Sequence, residues 1–340
     1  MSEHERKIGI NGAGAIGTNL LRRNAVLDRE GKGLPITIVA EEYLAPSQIA
    51  DNVRDNPIYG SLKEDVQLQG FNKIKIGDRV IEIVRGGVDE KVDWSRYGVW
   101  SVLEATGQRV DTGKAREHIG WGAQKVIITA PSKGSPAKSL IVGVNEGTYD
   151  PATDDVVDNA SCTTKSAAHI IKALHQQIGV HSVSLATVHA ETGQERRSLI
   201  QKNGGVSDIS RLGFRPEKTG AQVALTKLFP GVSVNAKAYR VPTPDASISD
   251  MTIRLHRAAS VEEVRKIIQD AAELLGMMQL IDSPIVNSAD LIGNPHDSVV
   301  CLNDIEMVMD DEVRVRSGYD NGFAPSNAAL ALQRYMMEQK

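Results

Sequence analysis

Hydrophobic and polar positions follow two periods in the first third of the chain. Lys7-Ile-Gly-Ile-Asn11 reads as a short buried strand, and from Ile16 through Leu20, Leu21 and Leu27 the apolar positions take helical spacing. A second strand, Pro35–Ala40, ends at Glu41-Glu42. From Asn72 the chain alternates at Ile74 and Ile76, then at Val80, Glu82 and Val84, across Gly77-Asp78, which predicts a hairpin. Val99–Leu103 and Lys125–Ala130 predict further strands, each running into small or hydroxyl residues, and Leu140–Val144 predicts another that ends at Asn145. Strands alternating with helices are the pattern of an α/β, doubly wound sheet.

After residue 160 the pattern changes. Asn159-Ala-Ser-Cys-Thr-Thr-Lys165 leads into a helical run whose apolar face is Ala167, Ile170, Ile171, Leu174 and Ile178, closed by Gly179. His181–Val188 alternates as a strand and delivers His189 at its end; Ala236–Pro242 and Ser247–Leu255 are further strands. Ser260-Val-Glu-Glu263 is a capping box opening a helix that Gly276 ends. Residues 326–339 form a last helix. Long strands followed by a few helices predict an α+β domain with a mainly antiparallel sheet. The expected division is therefore residues 1–161 with the C-terminal helix 321–340, and residues 162–320.

Composition narrows the class. The 340 residues are 24% charged and 41% apolar with a net charge of −4, which gives no reason to expect nucleic acid or a membrane surface as principal partner. Two cysteines make no disulfide framework. The charged start has no signal-like apolar core, and no apolar run reaches spanning length. A cytoplasmic globular protein is expected, with no metal.

Two stretches carry chemistry. Gly12-Ala-Gly14-Ala15-Ile16-Gly17 follows a strand and opens a helix, as a dinucleotide-binding glycine turn of the Rossmann type requires. Glu41, a little beyond the usual interval, is placed to accept from ribose hydroxyls and repel a 2′-phosphate, which favours NAD over NADP; Glu42 is the reserve candidate. Cys162 sits at or just before a helix N-terminus, where free N–H groups and the macrodipole favour a thiolate. A reactive thiol needs a base, and His189, at a strand end, is the histidine best placed to point into a cleft. The bland alternatives are a buried small cysteine and solvated acids.

These strings together resemble phosphorylating glyceraldehyde-3-phosphate dehydrogenase and its relative erythrose-4-phosphate dehydrogenase. Asn11–Gly17, Glu104-Ala-Thr-Gly107, Thr129-Ala-Pro-Ser132, Gly143-Val-Asn145, Asn159–Thr164, Thr187-Val-His-Ala190, Lys218-Thr-Gly-Ala221, Arg240-Val-Pro-Thr-Pro244 and Tyr319-Asp-Asn321 each match or resemble a motif of that family, nearly end to end. The resemblance implies that Cys162 attacks an aldehyde and that His189 holds the thiolate and serves as base for hydride transfer to NAD. It implies a thioester opened by inorganic phosphate. Ser161, Thr163, Thr219 and Gly220 would receive that phosphate, and Thr192 and Arg240 the substrate's own. Gly12, Gly14, Ala15, Ile16, Gly17, Glu41, Thr106, Gly107 and Thr129 would hold the cofactor, and Asn321 its carboxamide. A homotetramer acting on a small phosphorylated aldehyde is implied, with glyceraldehyde 3-phosphate first and erythrose 4-phosphate as alternative.

The departures define what the resemblance leaves open. Ala15 stands where the family has arginine, Lys165 where it has asparagine, and Pro325 where it has an aromatic. Residues 204–215 also diverge. Ala15 and Pro325 keep in view a non-catalytic NAD-binding redox sensor using Cys162, and an aspartate-semialdehyde-dehydrogenase-like enzyme, which also joins a Rossmann fold to a cysteine, is a more distant rival. Intact Cys162, His189, Arg240 and Asn321 oppose the first, and the Thr187-Val-His-Ala190 and Arg240–Pro244 strings oppose the second.

Overall fold

The computed structural model describes residues 6–191, 213–285 and 287–339. The chain divides into two compact units, Met1–Ala160 with Pro325–Lys340, and Ser161–Ala324. In the first unit, β1 (Lys7–Asn11), α1 (Ala15–Arg29) and β2 (Ile36–Glu41) form the opening crossover. Helix α2 (Pro46–Arg54) and a small hairpin of β3 (Asp55–Asn56) and β4 (Gly60–Ser61) lead into β5 (Val66–Gln69), β6 (Lys73–Ile76) and β7 (Arg79–Arg85). Then come β8 (Val99–Glu104), α3 (Thr112–Gly120), β9 (Lys125–Ile128), β10 (Lys138–Ser139) and β11 (Val156–Asp158).

These strands make a nine-stranded sheet in the order β10-β11-β9-β8-β1-β2-β7-β6-β5. It is parallel from β10 to β7, and the last two ladders, β7 with β6 and β6 with β5, are antiparallel, so that β6 alone runs against the other strands. Strand β1 has β2 on one side and β8 on the other, which makes its C-terminal end the switch point where such a sheet opens a ligand crevice. Ile8, Ile10, Ile36, Val39 and Leu103 are buried in one core with Leu20 and Leu21 of α1. This is the α/β doubly wound arrangement that the alternating pattern predicts.

The strand expected over Leu140–Val144 does not form. Pairing stops at Ser139, and the chain turns: Ile141 N donates to Asn145 Oδ1 at 2.8 Å and Val144 N to the Ile141 carbonyl at 2.9 Å. Leu140 and Ile141 are buried, so the apolar run is a core segment, but the Asn145 side chain closes a turn before a ladder can extend. The sheet position beside β9 goes instead to β11, which is too short to show a period.

The second unit starts with α4 (Cys162–Gln177) and β12 (Val180–Ala190). It continues through β13 (Arg215–Lys218), α5 (Ala221–Leu228), β14 (Ser233–Val241), β15 (Ser247–Leu255), α6 (Val261–Leu275) and β16 (Met278–Ile281). Strands β17 (Ser298–Cys301), β18 (Glu306–Met309) and β19 (Glu312–Tyr319) complete it. The sheet order is β13-β14-β12-β15-β19-β17-β16, with β18 on β19. Antiparallel pairs predominate, as the long alternating strands predict, but β12 runs parallel to β14 and β16 to β17. Helix α4 packs on this sheet and against α5 and α6. Helix α6 is capped at its start by Ser260, whose hydroxyl accepts from Glu263 N, and ended by Gly276 at φ +62°. The Glu263 carboxylate pairs with Arg257 at 2.6 Å. The last helix, α7 (Phe323–Glu338), enters the first unit at Pro325, where Ala329, Leu330, Leu332 and Met336 join the core.

The glycine turn after β1 has a steric signature that can be measured. A Cβ on Gly17 would lie 2.0 Å from the Gly12 carbonyl oxygen, whereas one on Gly14 would meet nothing within 4 Å among the described residues. Gly17→Ala is therefore expected to cost about 2–3 kcal/mol. Gly14→Ala should stay within about 0.5 kcal/mol of the parent. Urea unfolding of both variants decides it, and equal midpoints would refute the steric account.

Candidate active site

In the first unit the C-terminal ends of β1, β2 and β8 make a cradle. Gly12 takes φ +94°, and a Cβ there would lie 3.0 Å from the Thr106 backbone nitrogen, so the first glycine is required by close approach of two strand ends. Gly14 stands at the N-cap of α1 with no side-chain cap, and the first turn holds no acid. Its N–H groups are therefore not satisfied by a capping side chain, which suits a pyrophosphate. Ala15, where an arginine would reach over that anion, is an exposed methyl. Ile16 is half-buried against the core.

Glu41 is joined to this turn. Its Oε2 accepts from Ala13 N at 2.6 Å and its Oε1 from Tyr43 N at 2.8 Å and Leu44 N at 3.2 Å. A carboxylate at the end of β2, held beside the glycine turn, keeps a lone pair on Oε2 for a ribose hydroxyl and presents negative charge where a 2′-phosphate would sit. Glu42 points elsewhere, accepting from Val88 N at 3.1 Å and Asp89 N at 3.3 Å. The uncapped helix start, the Gly12 approach and the Glu41 carboxylate fit NAD.

Behind Thr106 lies a polar network that periodicity does not reveal. Buried Glu104 accepts from Thr106 N at 2.8 Å, from the Thr106 hydroxyl, and from Asn11 Nδ2 at 2.6 Å. His118 Nε2 lies 2.9 Å from the same carboxylate, and Trp94 Nε1 lies 3.0 Å from His118 Nδ1. An indole N–H can only donate, so Nδ1 accepts and Nε2 carries the proton that Glu104 receives. Thr129 leans on the same strand, its hydroxyl donating to the Glu104 carbonyl at 2.9 Å, and Gly107 turns the chain at φ +68°. The motif containing Glu104 is visible in the sequence; His118 and Trp94 carry no such signal.

In the second unit, Ser161 is the N-cap of α4, its hydroxyl accepting from Thr164 N at 3.1 Å, so Cys162 is the first helical residue. Ala160, just before, takes the left-handed φ of +52°. His189, 6% exposed near the end of β12, brings Nε2 to 3.5 Å from Cys162 Sγ. Asn321 Nδ2 lies 3.6 Å from the same sulfur and 3.1 Å from His189 Nε2. Two donors thus converge on one thiol. Asn321 is itself fixed: its N–H donates to Asp245 Oδ1 and its Oδ1 accepts from the Ser247 hydroxyl, each at 2.8 Å. Next to it, burial and then the nearby Asp245 push the Asp320 carboxyl up to about 7.

The charges around the thiol act in opposition. Burial raises the Cys162 pKa, but His189, by charge and hydrogen bond, then Lys165 and Asn321, bring it below that of an ordinary cysteine. Burial lowers His189, and the thiolate more than offsets that, leaving the imidazole raised. Both shifts act in the direction of a thiolate beside an imidazolium. His189 Nδ1 lies 2.7 Å from the Ala190 carbonyl, which favours its N–H, while Arg240 Nη1 abuts the same nitrogen and opposes protonation. Lys165 is 1% exposed in the first turn of α4, three residues after Cys162. A cation there opposes the helix dipole, and its charge is used in lowering the thiol.

The remaining candidates are placed less directly. The Thr163 hydroxyl is buried against the Tyr319 hydroxyl at 2.9 Å, and Thr187 bonds that phenol at 2.7 Å, so the Thr163 side chain braces α4. Thr219 accepts from Ala221 N at 3.2 Å, and Gly220 is the N-cap of α5. Thr192 lies outside the described residues, as do residues 204–212. Pro325 occupies the first turn of α7, where its missing N–H is no loss, and its carbonyl accepts from Asn159 Nδ2 at 2.8 Å. Among the described residues no cluster of three His, Cys, Asp or Glu could hold a metal ion, and no helix is long and apolar enough to cross a membrane.

The family model described as "Glyceraldehyde 3-phosphate dehydrogenase, NAD binding domain" matches residues 6–112, and the corresponding C-terminal domain model matches residues 161–321. The chain is 34% identical over 334 residues to glyceraldehyde-3-phosphate dehydrogenase of Mycolicibacterium smegmatis, covering 94% of this chain and 95% of that one. It is 34% identical to glyceraldehyde-3-phosphate dehydrogenase 2 of Streptomyces arenae over 331 residues, 96% and 97% of the two chains. The enzyme of that name from Mycobacterium leprae is 34% identical over 339 residues, again 96% and 97%.

The thiolate fraction rises with pH, so a lowered Cys162 pKa carries reactivity to lower pH. Iodoacetamide modification of Cys162 should reach half its plateau rate at a lower pH than an unassisted thiol does. His189→Asn should move that midpoint up, and Lys165→Gln should move it up by less. An unmoved midpoint in Lys165→Gln would remove the electrostatic role of that lysine.

Proposed function

The chain belongs to the glyceraldehyde-3-phosphate dehydrogenase family, and from that premise we propose that it oxidises glyceraldehyde 3-phosphate and phosphorylates the product to 1,3-bisphosphoglycerate. The observation that carries this reading is the Cys162 thiol at the start of α4, with His189 Nε2 and Asn321 Nδ2 both directed to it. NAD is the cofactor and, when bound, supplies the hydride acceptor.

In this reading Cys162 Sγ attacks the aldehyde carbon to give a thiohemiacetal, and the oxygen takes up a proton. His189 Nε2 removes that proton as the carbon gives up its hydride, which leaves a thioester on Cys162. Inorganic phosphate then attacks the thioester carbon, the carbon–sulfur bond breaks, and the thiolate is restored beside the imidazolium. The cap hydroxyl of Ser161, the α4 backbone at Thr163, and Thr219 with Gly220 are the groups assigned to the attacking phosphate. Arg240, with Thr192, is assigned to the substrate's own phosphate, a charge-assisted contact. Gly12, Gly14, Ala15, Ile16, Gly17, Glu41, Thr106, Gly107 and Thr129 are assigned to the cofactor, and Asn321 to its carboxamide.

Erythrose 4-phosphate is kept as a second substrate because Arg240 is already paired with Glu217 at 2.8 Å, which leaves its preference among phosphorylated aldehydes open to test. The same reading carries a cytoplasmic homotetramer. Val188 and Tyr239, paired in register on β12 and β14, are exposed apolar side chains available to a second copy.

The test is purified protein with NAD and each aldehyde, with and without inorganic phosphate. NADH should form only with both, Cys162→Ala should abolish it, and His189→Asn should lower kcat roughly 10²- to 10⁴-fold. No NADH from any aldehyde would sink the dehydrogenase reading. Formation independent of phosphate would sink the acyl-phosphate step alone.

A further inference from the structure

Two arginines of the second unit's sheet are each met by a carboxylate. Arg215 Nη2 donates to Glu191 Oε1 at 2.8 Å, and Arg240 Nε donates to Glu217 Oε2 at 2.8 Å. The register explains the second pair. On the antiparallel ladder of β13 and β14, Arg215 lies opposite Arg240 and Glu217 opposite Ala238, so Glu217 and Arg240 are diagonal neighbours on one face. The Arg240 side chain is 14% exposed and that of Glu217 is 52% exposed. Arg240 also turns Nη1 onto His189 Nδ1, which puts the guanidinium between the candidate base and an acid of the chain itself.

An anion arriving at Arg240 therefore meets a guanidinium whose Nε edge is already taken. We propose that Glu217 is a specificity-determining residue, an internal anion that competes with the substrate's phosphate for Arg240. It thereby narrows the preference for phosphorylated over unphosphorylated aldehydes. The inference rests on the assignment of Arg240 to the substrate's phosphate. The exchange is physically accessible because a half-exposed carboxylate can swing into water at little cost. While it stays, its negative charge beside the site repels an incoming dianion and screens the arginine from it. An unphosphorylated aldehyde has no charge to lose or gain at this place. Glu217→Gln keeps the shape and an acceptor oxygen for Arg240 Nε but removes the charge.

Two measurements on the full chain test this. In the first, glycerol 3-phosphate, which has the phosphate but no aldehyde, is titrated by calorimetry into the parent, Glu217→Gln, Arg240→Gln and the double variant. Its Kd should fall roughly three- to ten-fold in Glu217→Gln, and the gain should vanish when Arg240 is also replaced. An unchanged Kd, a gain that survives in the double variant, or no binding to either the parent or Glu217→Gln would overturn the proposal. In the second, the ratio of kcat/KM for glyceraldehyde 3-phosphate to that for glyceraldehyde should rise in Glu217→Gln by a similar factor, with the change in KM. A change confined to kcat, or the same change for both aldehydes, would overturn it. If the parent oxidises no aldehyde, the dehydrogenase reading falls, while the calorimetric series still decides the role of Glu217.

Discussion

A thiol that is to carry negative charge inside a folded chain must have that charge met by groups that cannot drift away. Burial by itself would raise the Cys162 pKa, so its lowering depends on His189, Lys165 and Asn321 being held in place by different elements. His189 comes from β12, Lys165 from the same helix turn, and Asn321 from the segment after β19. The mixed sheet of the second unit serves this convergence. β12 pairs with β15, and β15 with β19, so the strand that ends at His189 and the strand that leads to Asn321 are fixed in one register. A one-residue slip would turn those side chains to the other face.

The first unit depends on a comparable buried centre that is polar and not reactive. Glu104 gathers Asn11, Thr106 and His118, and Trp94 fixes the tautomer of the histidine. A carboxylate fully buried in a sheet is tolerated only when its lone pairs are used. Here they are used to hold the end of β1 against the turn after β8, two of the three strand ends that make the cradle.

How much of this is legible in the sequence follows from what each signal measures. Periodicity finds elements long enough to repeat, and so it places α4, β12, β15 and α6 close to their observed ends. It misassigns Leu140–Val144, where burial comes without a ladder, and passes over β11, which is too short to alternate. The apolar spacing closed by Gly179 puts Cys162 at or just before a helix start, and the Ser161 cap that fixes the start there is seen in the structure. Contacts distant in sequence leave no such trace: nothing in the order of residues announces that His118 and Trp94 stand behind Thr106, or that Glu217 lies on Arg240. Those depend on register and on sheet order. Lys165 is an intermediate case. The sequence shows a cation in an unfavourable turn, and burial next to the thiol gives it a use.

The glycine turn after β1 divides its positions into two kinds. Gly12 and Gly17 are bound by neighbouring backbone, since a side chain at either would press on Thr106 or on the Gly12 carbonyl. A Cβ on Gly14 would meet nothing within 4 Å among the described residues, and Ala15 is exposed. Descent with change is thereby partitioned: the anchors of the loop cannot vary without refolding the strand–helix junction, while its rim can. The methyl of Ala15 lies on that rim, so a change of side chain there alters what the turn presents to its surroundings and leaves the architecture untouched.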